Sequence, residues 1–144
     1  IMFICNHCPF VKHVNQQIVQ IAKDYQNSGI KLIAISSNDI INYPDDSPSE
    51  MKKVAIKENF IFPYLFDETQ IVAKNYDAAC TPDFFIFNNS KKLVYRGQLD
   101  DSRPGNNITV TGEDVRNALE SLINFKEINP VQKPSIGCNI KWKN

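Results

Sequence analysis

The chain opens by setting an apolar run, Ile1-Met2-Phe3-Ile4-Cys5, against a segment whose apolar residues recur with helical spacing: Val11, Val14, Ile18, Ile21, Ala22 and Tyr25. The run reads as a buried strand over residues 1–5, and the stripe as an amphipathic helix packed on it. The helix is expected from Cys8 or Pro9 to Asn27, because proline is tolerated in a first turn and Gly29 is a natural stop. Ile30 to Ile35 then reads as a second buried strand. A strand, a helix and a strand in that order form a βαβ unit, which imposes parallel strands and a right-handed crossover.

The alternation continues downstream. Ser36 to Asp46 is a polar loop, and Ser47-Pro48-Ser49-Glu50 has the form of a capping box that starts a helix running to about Glu58. Residues 62–66 suit a short strand limited by Pro63, and Asp67 can cap a short helix through Tyr76. Asp83 to Phe87 is a third apolar strand, Asn88-Asn89-Ser90 a turn, and Lys92 to Gln98 its hairpin partner. After a polar loop over 99–110, Thr111 caps a last helix with the stripe Val115, Ala118, Leu119, Leu122 and Ile123. The expected fold is an α/β sandwich: a mixed central sheet, parallel early and antiparallel at its closing hairpin, with helices on both faces. Residues 1–125 form one domain, and 126–144 an extended tail packed on it, where Ile136, Cys138, Ile140 and Trp142 alternate with polar or small residues.

Composition narrows the function classes. The 144 residues carry 16 Lys and Arg against 16 Asp and Glu, so no basic excess exists to neutralise phosphates, and nucleic acid is not an expected partner. No apolar run approaches the roughly 18–20 residues that span a bilayer, so no membrane span is expected. Four cysteines are too few for a disulfide-stapled mini-domain but enough for a redox or metal site. A chain entering a buried strand at residue 1, with no leader pattern, reads as preceded by further sequence; as it stands it favours the cytoplasm.

The chemistry concentrates at Cys5-Asn6-His7-Cys8-Pro9-Phe10, where the first strand gives way to the first helix. Free N–H groups and the dipole of a helix N-terminus favour an anion there, so the Cys8 thiol should ionise readily. Lys12, one turn on, adds positive charge. The thiolate is the nucleophilic form, which makes Cys8 the candidate nucleophile; core packing is the bland alternative. Cys80-Thr81-Pro82-Asp83 places a proline at the opening of a central strand, which needs a special reason.

Five segments carry a resemblance: Phe3 to Lys12 (FICNHCPFVK), Cys80 to Phe85 (CTPDFF), Tyr95 to Gln98 (YRGQ), Asp101 to Gly105 (DSRPG) and Lys133 to Cys138 (KPSIGC). Together they resemble the peroxiredoxin-like branch of the redoxin (AhpC/TSA) family, within the thioredoxin superfamily. The resemblance implies a thioredoxin-like fold with further N-terminal strands, a cis proline at Pro82 facing the reactive cysteine, and thiol redox chemistry without a cofactor. Its expected partners are a disulfide or peroxide substrate and a thiol reductant. The chain also departs from that family. Peroxiredoxins carry Pro-x-x-x-Thr-x-x-Cys; counting back from Cys8, Cys5 stands at the Thr position and Ile1 at the Pro position, while the family's Arg falls at about Pro82. The departures weigh against peroxidase activity, with Arg96 or Arg103 as the substitutes on offer. Against Cys-Pro-x-Cys oxidoreductases, Val11 occupies the second cysteine's place.

Three other cysteines could resolve an intermediate on Cys8. Cys5 makes a literal C-x-x-C, and Cys80 lies in the loop that should face Cys8; these two rank first and equal. Cys138, in the tail, ranks third, with anchoring by packing its favoured role. His7 and His13 raise a zinc or copper reading with Cys5 and Cys8, but His13 falls on another helical face and no second C-x-x-C exists, so no metal is assigned. The expected site is therefore Cys8, Cys5, Cys80, Pro82 and Lys12, serving a thiol oxidoreductase. The alternative is a non-catalytic redox-sensing or metal-binding module of the same fold.

Overall fold

In the computed structural model, which describes all 144 residues, the chain runs β1 (Met2–Phe3), α1 (Pro9–Tyr25), β2 (Ala34–Ser36), a 3-10 turn (Pro44–Asp46), α2 (Pro48–Lys57), β3 (Tyr64–Phe66) and α3 (Ile71–Asn75). It continues through β4 (Cys80–Thr81), β5 (Asp83–Phe87), β6 (Leu93–Gly97), α4 (Glu113–Ile123) and β7 (Cys138–Asn139). Five strands form one sheet in the order β3-β2-β1-β5-β6. β1, β2 and β3 are parallel, and β5 runs antiparallel to both β1 and β6. This is the mixed sheet that the strand and helix order predicts, in the thioredoxin-like arrangement that the resemblance implies.

Alternation of side chains along each strand divides the core in two. Met2, Ile4 and Phe84 join Val11, Val14, Ile18 and Val115, Leu119 in one cluster, so α1 and α4 cover that face. Phe3, Ile35 and Phe85 point the other way and pack with Ala73 of α3, Ala78 and Ile140. Fully burying each large apolar side chain contributes about 1.5–3 kcal/mol, which is what ties the helices to the sheet. No helix is long and apolar enough to cross a membrane.

Several boundaries differ from the sequence expectation. Of Ile30 to Ile35, only Ala34 and Ile35 join the ladder, because β1 pairs from Met2↔Ala34 onward; Ile33 still accepts the Met2 N–H at 2.9 Å. The Ser47 capping box does not form: the Ser47 hydroxyl lies 3.1 Å from Ser49 Oγ, and Glu50 pairs with Lys53. The short helix begins at Ile71 rather than beside Asp67, yet Asp67 still accepts the Ala73 N–H at 2.9 Å. Gly112, at φ +72°, is the N-cap of α4, and Thr111 Oγ1 takes the Glu113 N–H from one residue earlier. β4 and β7 form a separate two-stranded ladder; the alternation in the tail suits β7, but its pairing with β4 is not readable from the spacing.

The tail straps the domain along this route. Lys133 accepts the Gln98 N–H at 3.0 Å, and Ser135 donates to the Gly97 carbonyl at 2.7 Å. β7 pairs with β4, Ile140 is fully buried, and the Lys141 carbonyl accepts the Asp39 N–H at 2.8 Å.

Candidate active site

The end of β1 and the start of α1 bring Cys5 and Cys8 to the edge of β4. Cys8 is the N-cap of α1, with extended backbone and no side-chain cap of its own, and its carbonyl accepts the Val11 and Lys12 N–H groups at 3.1 and 3.0 Å. Its sulfur is fully buried. Protonated, it donates to the Thr81 carbonyl at 3.3 Å. On its other side stands Cys138 Sγ at 2.9 Å. The Thr81–Pro82 bond is cis.

Electrostatics separate the sulfurs. The neighbouring Cys5 thiol, then the Cys138 thiol and the Val11 and Cys138 amides, all donate to an ionised Cys8 and hold it well below the usual thiol range, against the opposing effect of burial. Cys5 is pushed far up, by sharing its hydrogen with Cys8, by burial and by the Asp46 carboxylate. The negative charge therefore belongs on Cys8, which faces amide hydrogens, rather than on Cys5, which faces a carboxylate. Burial pushes Cys80 up to about 12, with Asp83 adding to it. Cys138 is pushed up to about 11 by burial and then by its bond to Cys8.

Each expected site residue has a definite place. Cys5 Sγ lies 3.5 Å from Thr81 Oγ1. Cys80 Sγ turns toward the Pro82 carbonyl at 3.7 Å and makes no hydrogen bond to Cys8. Pro82 is buried behind Thr81. The Lys12 side chain is exposed and supplies none of the hydrogen bonds that lower Cys8; amides and thiols do that. Neither arginine hydrogen-bonds to Cys8. Arg96 is engaged with Asp77 and lies over Phe85, and Arg103 bonds Gln98 and the carbonyls of Asp100 and Ser102.

Cys138 reaches Cys8 through the tail, a placement that sequence spacing ranks last. The signal was Gly137: a Cβ there would stand 2.0 Å from the Thr81 carbonyl oxygen, so only glycine lets β7 close on β4. Asp46 and His7 also escaped the expected site. Asp46 is fully buried and accepts the Asn6 N–H at 2.7 Å, Asn38 Nδ2 at 2.8 Å and His7 Nδ1 at 2.5 Å. It fixes the Cys5–Cys8 turn from a loop nearly forty residues away.

No curated protein matches the chain. Two solved structures are similar over 99% of it, each with a TM-score of 0.97. One, an uncharacterized conserved protein from Geobacillus kaustophilus, is 62% identical, and the match spans 75% of that protein. The other, a hypothetical protein from Sinorhizobium meliloti 1021, is 44% identical over 78% of its length. The sequence profile of the AhpC/TSA family matches residues 1–96, which hold the whole sheet from β1 through most of β6 and the Cys8 turn. On that match the chain belongs to the AhpC/TSA family, whose members are in general thioredoxin-like oxidoreductases.

Proposed function

We propose that this protein is a thiol oxidoreductase in which Cys8 is the nucleophile and Cys138 resolves the intermediate. One observation carries the reading: the Cys8 sulfur, held below the usual thiol range at the opening of α1, stands 2.9 Å from a second thiol. Against a disulfide, the Cys8 thiolate bonds one sulfur and expels the other as a thiolate. Cys138 then attacks Cys8, releases the remaining substrate thiolate and closes a Cys8–Cys138 disulfide. A peroxide gives the same product: Cys8 attacks one oxygen and becomes a sulfenic acid as the O–O bond breaks and the other oxygen leaves as water or an alcohol, and Cys138 then displaces the sulfenic hydroxyl as water. An external dithiol returns both sulfurs to the reduced state.

The high Cys138 value suits this order. The second-largest cause raising it is its hydrogen bond to Cys8, and the Cys8 charge adds to it. Both vanish once Cys8 is bonded to substrate, which leaves burial alone raising Cys138 and makes its thiol easier to ionise at that stage. The test is insulin-disulfide reduction and peroxide consumption by wild type, Cys8→Ser and Cys138→Ser, with peptide mapping after mild oxidation. Turnover should vanish in Cys8→Ser, and Cys138→Ser should stall as a mixed disulfide or sulfenic acid. Turnover surviving in Cys8→Ser overturns the assignment.

A second reading is favoured by the complete burial of Cys8 beneath β7. An oxidant must pass the strap to reach Cys8, and formation of one Cys8–Cys138 disulfide per chain, without turnover, would make the protein a redox sensor. The same assays separate the two readings by whether oxidation is catalytic or stoichiometric.

A further inference from the structure

We infer that Cys5, His7 and Asp46 form a binding site for a divalent cation of the zinc class, next to the Cys8–Cys138 pair. The Cys5 hydrogen is shared with that pair. One ligand atom from each, a thiol sulfur, an imidazole nitrogen and a carboxylate oxygen, lies within 4.8 Å of the others. Ligand atoms around tetrahedral zinc sit roughly 3.2–3.8 Å apart, given bonds of about 2.0–2.3 Å; His7 Nδ1 and Asp46 Oδ2, 2.5 Å apart, exchange their hydrogen bond for the cation by a rotation of the partly exposed imidazole.

The support around these groups is already built. Asp46 is fully buried and has no lysine or arginine partner. Three donors besides the His7 ring hold its carboxylate: the Asn6 and His7 amides and Asn38 Nδ2. Such outer contacts orient a ligating carboxylate. The His7 ring stacks on Tyr43 at 5.7 Å and 10°, which aims Nδ1 at Asp46 and leaves the side chain 28% exposed as an entry path. Cys5 Sγ has a hydroxyl beside it, Thr81 Oγ1 at 3.5 Å. The pairing of His7 with Asp46 alone does not call for a buried thiol against the same carboxylate. A cation does: it replaces the Cys5 proton, which leaves to solvent, and His7 coordinates as the neutral ring. One thiolate and one carboxylate then cancel the divalent charge, the economical way to keep Asp46 buried. Water on the His7 side completes the fourth position.

Cobalt(II) titration of the full-length chain tests this, with zinc(II) as competitor. The Cys8→Ser/Cys138→Ser double variant removes the redox pair, so this outcome does not depend on the function proposed above. It should bind one cobalt per chain with a thiolate-to-cobalt absorption band, and zinc should displace it. Cys5→Ser in that background should lose the band; His7→Gln, at a partly exposed position, should weaken binding while keeping the native circular dichroism. Failure of the folded double variant to bind cobalt stoichiometrically overturns the site. So does a thiolate band that survives Cys5→Ser. If Cys5→Ser fails to fold, the His7→Gln comparison decides: unchanged affinity overturns the site.

Discussion

Cys5 and Cys8 are three residues apart and live in opposite fields. The Cys5 thiol donates to Cys8, which also meets thiol and amide hydrogens at a helix N-terminus, while Cys5 is buried beside the Asp46 carboxylate, so one sulfur is driven down and the other up. This asymmetry has a pH signature. Between the depressed native value of Cys8 and the ordinary thiol value of about 8.5, the folded state binds one proton fewer than the unfolded state, so stability rises with pH, by at most about 1.4 kcal/mol per unit. The contribution is complete above about 8.5 and is lost as pH falls through the native value. Cys80 has the opposite sign: its contribution is complete below about 8.5 and is lost as pH rises toward about 12. Urea unfolding of reduced protein from pH 5 to 8 should show this rise in wild type and a flatter profile in Cys8→Ser; parallel profiles refute the ionised sulfur. Gly137 is the other decisive residue. Gly137→Ala drives a Cβ to 2.0 Å from the Thr81 carbonyl, and overpacking of this kind costs about 1–3 kcal/mol. Denaturation should register that loss, and peptide mapping should show much less Cys8–Cys138 disulfide after mild oxidation.

At the scale of elements, α1 and the tail strap make the site together. The turn into the helix sets the Cys5 thiol and the Val11 amide against Cys8, and β7, paired with β4, brings the Cys138 thiol and amide. A consequence can be read by proteolysis. Lys126 is exposed beside Phe125, itself 97% exposed, where the chain leaves α4 for the strap. Trypsin cleavage there should free the 127–144 segment from reduced protein under denaturing conditions. In oxidised protein it should leave the segment joined through Cys8. A free segment in both states, read by mass spectrometry without reductant, argues against the disulfide. The amphipathic stripes of α1 and α4 were legible in the sequence, because helical spacing of apolar residues is a local property. The helix starts were less so: Ser47 and Thr111 have the right chemistry, but backbone geometry gave Ser47 a different partner and made Gly112 the cap. The alternation of Ile136, Cys138, Ile140 and Trp142 hinted at β7, but two-residue strands carry no sign of their partner, and the pairing of β7 with β4 exists only across the fold.

For the whole molecule, a Cys8–Cys138 bond would close a loop spanning 130 residues, nearly the entire chain. Restricting the unfolded state in this way is worth about 4–5 kcal/mol on the chain-entropy account. Thermal unfolding should therefore occur at a clearly higher temperature in oxidised than in reduced wild type, with no such difference in Cys138→Ser. Equal melting of both forms would mean that the native state strains to make the bond. The local pattern of apolar residues determined the alternation of strands and helices, the mixed sheet and the placing of Cys8 at a helix start, since each depends on neighbours a few positions apart. Which thiol faces Cys8, and how Asp46 comes to govern Cys5 and His7, was decided only in three dimensions. Those groups meet through backbone pairing and buried hydrogen bonds between segments 40 to 130 residues apart, and no spacing along the chain encodes such a meeting.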